Sequence, residues 1–241
     1  MYIIIVRYQE NISWVSSLNK DCQIYIYNKG NSITNNLTGF KNCSIYNVEN
    51  IGRESEGYLR FIIENYDNIK DEEQYVFTQA DPFAHCVDFP HKIEKLKTLD
   101  YGCTLLGDYI VVNTRLHNTN SENVSLLKHY YFNNQLVVKS WQKQNFVKCN
   151  FIRDNNFKYK WSTDSTFITQ TLERENFFKK TFNKPIPIFN WSEGALFAIK
   201  GKYIKNRPKE FYIRLKNELL NCKTEDLGFL YERLWSLFFF Y

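Results

Sequence analysis

NIGRESEGYLRFIIENYDNIKDEEQYVFTQADPFAH, residues 50–85, holds a helix start, a helix and a strand end within one short span. A polar turn, Asn50 to Ser55, leads into a stretch whose apolar residues recur at helical spacing. Tyr58, Phe61 and Ile62 share one side, continued by Asn65 or Tyr66, while Arg60 and Glu64 fall outside. A helix is therefore expected over Gly57–Asn65. The β-rich Tyr75–Thr78 follows as a strand and stops at Q-A-D-P-F-A-H. Free amides and the dipole make a helix start a ready anion site. An acid and an imidazole just past a strand end stand where α/β sheets usually bind ligands. Together the two features point to a phosphate-bearing ligand with a metal ion.

Around this stretch, Tyr2–Val6 is a continuous β-branched run, as expected of a strand buried on both faces. A short helix is predicted over Ser13–Leu18 with Ser13 as its N-cap. Strands are predicted over Gln23–Tyr27 and Cys43–Val48. The resulting β-α-β-β-α-β order implies a three-layer α/β/α sandwich around a mostly parallel sheet with right-handed crossovers. Farther on, a helix is expected over Asp88–Lys97. Strand-like pieces at Tyr109–Asn113, Gln135–Ser140 and Asn145–Phe151 lie in a region of about 108–165, read as a partly antiparallel insertion. A helix is expected over Thr166–Phe182, a strand over Ala195–Ile199, and two closing helices over Pro208–Leu220 and Asp226–Phe239.

Composition narrows the function classes. Hydrophobic residues make up 44% and aromatics 17%, enough for a real core. A net charge of +5 without a basic stripe argues against nucleic acid as partner. The six cysteines form no C-x-x-C pair, so neither a zinc site of usual spacing nor a disulfide framework is expected. The start, M-Y-I-I-I-V-R-Y, lacks signal-peptide character, and no apolar run approaches the ~20 residues of a membrane span. A cytoplasmic setting is expected. Walker, G-x-S-x-G, H-E-x-x-H and G-x-G-x-x-G patterns are missing.

Four constellations carry chemistry, each with a plainer alternative. Arg7, Tyr8, Glu10 and Asn11 follow the first strand, where an aromatic face and a carboxylate suit a base and a ribose; the alternative is a solvated loop. Asn28 and Lys29 end the second strand beside them. Gly52, Arg53 and Glu54 mark the helix start, where the planar guanidinium of Arg53 suits a diphosphate. Glu54 would orient that guanidinium or simply favour the helix terminus. Asp81 and His85 are ordinary ligands for Mn²⁺ or Mg²⁺, or else a turn-forming acid and a structural histidine. On the last helix Leu227, Leu230, Tyr231, Leu234 and Phe238 define a buried stripe. Glu232 lies off its centre, either a general base in a cleft or a surface charge. Glu193 is a second candidate for that role.

R-Y-Q-E-N-I-S-W, I-Y-N-K-G, N-I-G-R-E-S-E-G-Y-L-R-F-I-I-E-N-Y-D-N, F-T-Q-A-D-P-F-A-H and the ending G-A-L-F-A-I…R-P-K-E-F-Y…G-F-L-Y-E-R-L-W resemble a microbial and viral family of proteins of unknown function. At one remove the layout is similar to GT-A glycosyltransferases. That resemblance implies one domain over 1–241, with a nucleotide-binding half (1–105) and an acceptor half (106–241). It also implies a nucleotide-sugar donor, a glycan or other hydroxyl acceptor, and a divalent cation at Asp81 and His85. Arg7, Glu10 and Asn11 would lie near the nucleotide, Arg53 near the diphosphate, and Glu232 would be the base of an inverting transfer. Q-A-D-P stands where such enzymes carry a full D-x-D. The rival classes are a non-catalytic carbohydrate-binding or interaction protein, suggested by 17 tyrosines and five tryptophans, and a metal-dependent phosphoesterase. An open groove of tryptophans would mark the first, and more ligands around Asp81 the second. Oligomeric state is not legible.

Overall fold

The computed structural model describes residues 1–33, 37, 40, 42–98, 102–107, 109–112, 150–151, 177, 180–182, 189–222 and 226–240. Of 109–112, 150–151, 189–191 and 226 the backbone alone is described. The strands are β1 (Tyr2–Arg7), β2 (Gln23–Asn28), β3 (Cys43–Asn47), β4 (Gln74–Gln79), β5 (Cys103–Leu105), β6 (Tyr109–Val112), β7 (Asn150–Phe151), β8 (Phe189–Ser192) and β9 (Phe197–Lys200). The α-helices are α1 (Arg53–Asn65), α2 (Phe89–Leu96), α3 (Gly201–Ile204), α4 (Lys209–Asn221) and α5 (Asp226–Phe240). One seven-stranded sheet runs β3-β2-β1-β4-β9-β5-β7, and β6 pairs with β8 in a separate antiparallel ladder. Parallel pairing joins β1 to β2 and β4, β2 to β3, and β5 to β7, whereas β9 runs antiparallel to β4 and β5.

Alternation along β1 explains the layering. Successive side chains of a strand point to opposite faces. Ile4 and Val6 accordingly pack with Tyr58 and Phe61 of α1, Leu215 of α4, and Trp235 and Phe238 of α5. Ile3 and Ile5 pack on the other face with Ile12, Val15 and α2 residues Phe89 and Ile93. The expected three layers around a mostly parallel sheet are therefore present. Aromatic rings fill the first face: Phe77 stacks on Phe197 at 4.9 Å and meets Tyr58 edge-on at 5.1 Å, and Trp235 lies 5.5 Å from Phe197. Each such pair contributes roughly 0.5–1.5 kcal/mol beyond the area it buries.

Handedness fixes where a ligand can sit. From β1 the chain passes a 3-10 turn (Ser13–Ser17) on one face to reach β2. It returns from β3 through α1 on the other face and lands at β4, on the far side of β1. Opposite directions of travel require opposite faces if both crossovers are right-handed. The strand order thus reverses between β1 and β4, and open α/β sheets take ligands outside the C-terminal strand ends at such a point.

Several expectations shift in detail. The Ser13 segment is a 3-10 turn rather than an α-helix, and Ser13 does not cap it. Instead Asn11 Oδ1 accepts the Ser13 N–H at 2.7 Å. Helix α1 starts at Arg53, four residues before the expected Gly57, because the E-S-E segment is drawn inside instead of staying a solvated turn. The expected strand at Ala195 begins at Phe197, since Gly194 and Ala195 both adopt positive φ in a short 3-10 turn. Within the expected insertion β6 pairs antiparallel with β8 but β7 pairs parallel with β5, so its antiparallel character is only partial; the piece at Gln135–Ser140 and most of the helix expected over Thr166–Phe182 lie outside the described residues. β9, from the expected acceptor half, sits inside the sheet between β4 and β5, so the two halves share one sheet.

Candidate functional site

At the ends of β1 and β2 the chain uses most of its polar side chains on itself. Arg7 is buried. Its Nε donates to Glu10 O at 2.8 Å, and Nη1 donates to Asn28 Oδ1 at 2.7 Å and Asn31 O at 2.8 Å. Asn28 Nδ2 donates to Asn47 Oδ1 and to the carbonyls of Gly30 and Asn31. Glu10 Oε2 accepts the amides of Tyr8 and Gln9 at 2.7 and 3.1 Å. Arg7, Glu10, Asn11 and Asn28 thus build the loop wall. Tyr8 presents an exposed ring.

Lys29 also turns inward. Its ammonium donates to Glu56 Oε2 at 3.1 Å and to the Ile51 carbonyl. Both side chains of this ion pair are almost wholly buried. Glu56 is met as well by Arg60 at 2.7 Å and by Lys216 at 3.5 Å. Burial lowers the Lys29 pKa against the pull of Glu56. For Glu56 the burial that would raise the pKa is outweighed by Lys29 and Arg60, and the net shift is downward. Lys29 and Glu56 therefore fix α1 to the end of β2.

The start of α1 is shaped for contact with α4 and α5. Gly52 has φ of +66°, and a Cβ there would come within 2.9 Å of Leu219 Cδ2. Any side chain at this position would be both strained and crowded. The Arg53 guanidinium lies 3.9 Å over the Phe229 ring, with its side chain 37% exposed. Glu54 is buried, its Oε2 3.7 Å from Arg53 Nε, and its Oε1 has no hydrogen-bond partner. Burial, then the charge of Glu232, push the Glu54 pKa up to about 7.

The remaining predicted residues meet around the turn at Gly194. Glu232 Oε1 accepts the Gly194 N–H at 2.8 Å. Gly194 has φ of +71°, and a Cβ on it would lie 2.8 Å from His85 Cδ2 and 3.0 Å from Gln79 Nε2. His85 Nδ1 stands 3.5 Å from Glu193 Oε2. Tyr58 donates its hydroxyl hydrogen to Ala195 O at 3.3 Å, and its raised pKa reflects burial first and then Glu54 and Glu232. Burial lowers the pKa of Arg233, while Glu232 and Glu193 act against that shift. Glu232, Trp235 and Ser236 line a small cavity with Cys103, Ser192 and Phe197.

Asp81 lies at the rim of this cluster. It is exposed, its Oδ1 accepts the Phe83 N–H at 3.1 Å, and its carbonyl accepts from Gln79 Nε2 at 2.8 Å. Among the described residues no three or more His, Cys, Asp or Glu side chains gather as a metal group. A larger open depression lined by Met1, Glu72, Gln74 and Lys200 lies at the N-terminal ends of β1 and β4, at the opposite end of these strands from Asp81.

His85, Glu193 and Glu232 thus gather at the Gly194 turn and Arg53 pairs with Glu54 at the start of α1, whereas Arg7, Glu10, Asn11, Asn28 and Lys29 make their contacts within the fold. Sequence reasoning missed Gly194 and Tyr58. Gly194 had a signal, a glycine between an acid and an apolar strand; Tyr58 looks like any core tyrosine.

The fold is that of an α/β protein, and acidic side chains and a histidine gather where the end of β4 meets the turn before β9. The chain belongs to the family described as protein of unknown function (DUF3431), whose model matches residues 3–241. No curated protein matches the sequence. Among the described residues no helix is long and apolar enough to cross a membrane.

Proposed function

We propose that the chain is a GT-A-like glycosyltransferase, moving a sugar from a nucleotide-diphosphate donor to a hydroxyl acceptor with inversion. The observation that carries this reading is the Glu232 carboxylate, held on one oxygen by the Gly194 amide beside Gln79 at the end of β4. A base needs such a fixed geometry within reach of the proton it takes. Arg53, a partly exposed cation at the start of α1, supports a diphosphate leaving group, whose growing charge it would meet. Tyr8 offers a ring face at the adjoining loop.

Asp81 and His85 would supply a carboxylate oxygen and an imidazole nitrogen at the rim, a mixed donor pair that suits a transition ion such as Mn²⁺ better than Mg²⁺, with the other ligands drawn from substrate phosphates and water. Bound there, a divalent cation would neutralise diphosphate charge. A non-catalytic carbohydrate-binding protein would turn its tryptophans outward. Of the two tryptophans whose side chains are described, Trp14 donates its N–H to Ala80 O and packs edge-on against Phe89, and Trp235 is buried. A phosphoesterase would need ligands beyond Asp81 and His85.

Incubation with a panel of sugar nucleotides, with and without Mn²⁺, tests the reading. Release of a nucleoside diphosphate, weakened in Asp81→Ala, is expected. Failure to bind or turn over any donor under both conditions, with Asp81→Ala indistinguishable, would sink it.

A further inference from the structure

Two buried hydroxyls that the transfer reading does not use converge on the turn that holds Glu232. Ser192 ends β8 and Tyr58 lies on α1, and both are buried. Ser192 Oγ accepts the Gly107 N–H at 3.0 Å and donates to the Glu193 carbonyl at 3.3 Å. That carbonyl and the Gly194 N–H belong to one peptide unit, whose amide end donates to Glu232 Oε1 at 2.8 Å. Tyr58 donates to the carbonyl of the next residue, Ala195, at 3.3 Å. The backbone is strained at this point. Gly194 has φ of +71°, and Ala195, which carries a Cβ, has φ of +52°. A non-glycine residue in the left-handed region is costly and persists only where its surroundings over-determine it. The two hydroxyls supply that constraint.

We propose that Ser192 and Tyr58 are positioning residues of this site: they lock the Glu193–Gly194–Ala195 turn so that the Gly194 amide is aimed at Glu232 and fixes its carboxylate. The proposal rests on the reading of Glu232 as the base. A hydroxyl donating to one end of a peptide unit polarises the N–H at its other end, so linked hydrogen bonds strengthen one another. Here the donors run from the Gly107 amide through Ser192 and the Glu193–Gly194 peptide to Glu232. Tyr58 holds the carbonyl that follows, which keeps the left-handed pair from relaxing and swinging the amide away. A reacting group displaced by about 1 Å loses up to about 10²-fold in rate, while donor binding elsewhere in the site is untouched. Ser192→Ala and Tyr58→Phe each delete one oxygen and leave Glu232 itself in place.

Hydrogen exchange of the full chain, read amide by amide by NMR, tests this without any substrate. In Ser192→Ala and in Tyr58→Phe the Gly194 amide is expected to exchange about tenfold faster, the protection of roughly one hydrogen bond. Glu232→Ala removes the acceptor and should speed Gly194 in the same way. The amides of β9 should keep their native rates, because a merely structural loss would loosen the sheet as well. The proposal is overturned if Gly194 exchanges at the native rate in either folded hydroxyl variant or in Glu232→Ala. It is overturned equally if β9 accelerates as much as Gly194. Either hydroxyl variant carries the test where the other fails to fold. With a donor that the native chain turns over, each variant should show kcat lowered about tenfold at unchanged KM, and a native kcat would overturn the positioning role. Faster Gly194 exchange in a chain that turns over no donor would sink the transferase reading and leave the clamp standing.

Discussion

Glu54 makes the stability of the protein depend on pH. Its folded pKa of about 7 lies above the ordinary 4.5, so the folded chain holds this proton more tightly than the unfolded chain. The contribution is full below about 4.5 and is lost as pH rises through 7. Replacing Glu54 by Gln removes the titration. Urea unfolding should show Glu54→Gln close to the native protein at pH 5 and more stable at pH 8, by on the order of 3 kcal/mol. Equal pH dependence in the two proteins would refute the assignment. Lys29 and Glu56 behave differently, because their charges are satisfied. Glu56→Ala leaves Lys29 buried with only the Ile51 carbonyl, and should cost about 3–5 kcal/mol in the same assay. Lys29→Ala should cost less, since Arg60 and Lys216 still face Glu56.

Helix α5 serves two partners, which is why its sequence pattern misleads. Tyr231 and Phe238, of the predicted stripe, face α4, with the Tyr231 hydroxyl donating to Leu215 O at 3.0 Å and Phe238 edge-on to Phe211. A second row, Glu232, Trp235, Ser236 and Phe239, follows i, i+3, i+4, i+7 spacing. Trp235 and Phe239 of this row stack on or tilt against Phe197 in the sheet. Glu232 continues that row one turn beyond Trp235, so it reaches the Gly194 turn instead of open solvent. A single apolar stripe in the sequence cannot reveal a second contact face whose first member is charged. The Gly194 turn itself tolerates no side chain. Gly194→Ala should lower stability by roughly 1–3 kcal/mol and displace the Glu232 anchor, visible as a lower melting temperature. An unchanged melting temperature would show the turn to be slack.

For the whole molecule, the strand order β3-β2-β1-β4 and the crossovers on opposite faces put the reversal of strand order between β1 and β4. The N-terminal strands were legible because each is a short β-branched or aromatic run bounded by turn residues. The placement of β9 between β4 and β5 was not legible, since antiparallel insertion from a distant segment leaves no local pattern. Of the site, Glu232, Arg53 and His85 could be picked out by residue type and by position after a strand or on a helix. The inward commitment of Arg7, Asn28 and Lys29 could not, because a buried guanidinium and an exposed one share the same letter. The central claim is that Glu232 takes a proton during sugar transfer, and Glu232→Gln tests it directly. Glutamine keeps an oxygen for the Gly194 amide but cannot serve as base. With a donor that the native protein turns over, the variant should fold normally and transfer about 10²–10⁴-fold more slowly. Transfer at the native rate by a folded Glu232→Gln protein would contradict the account.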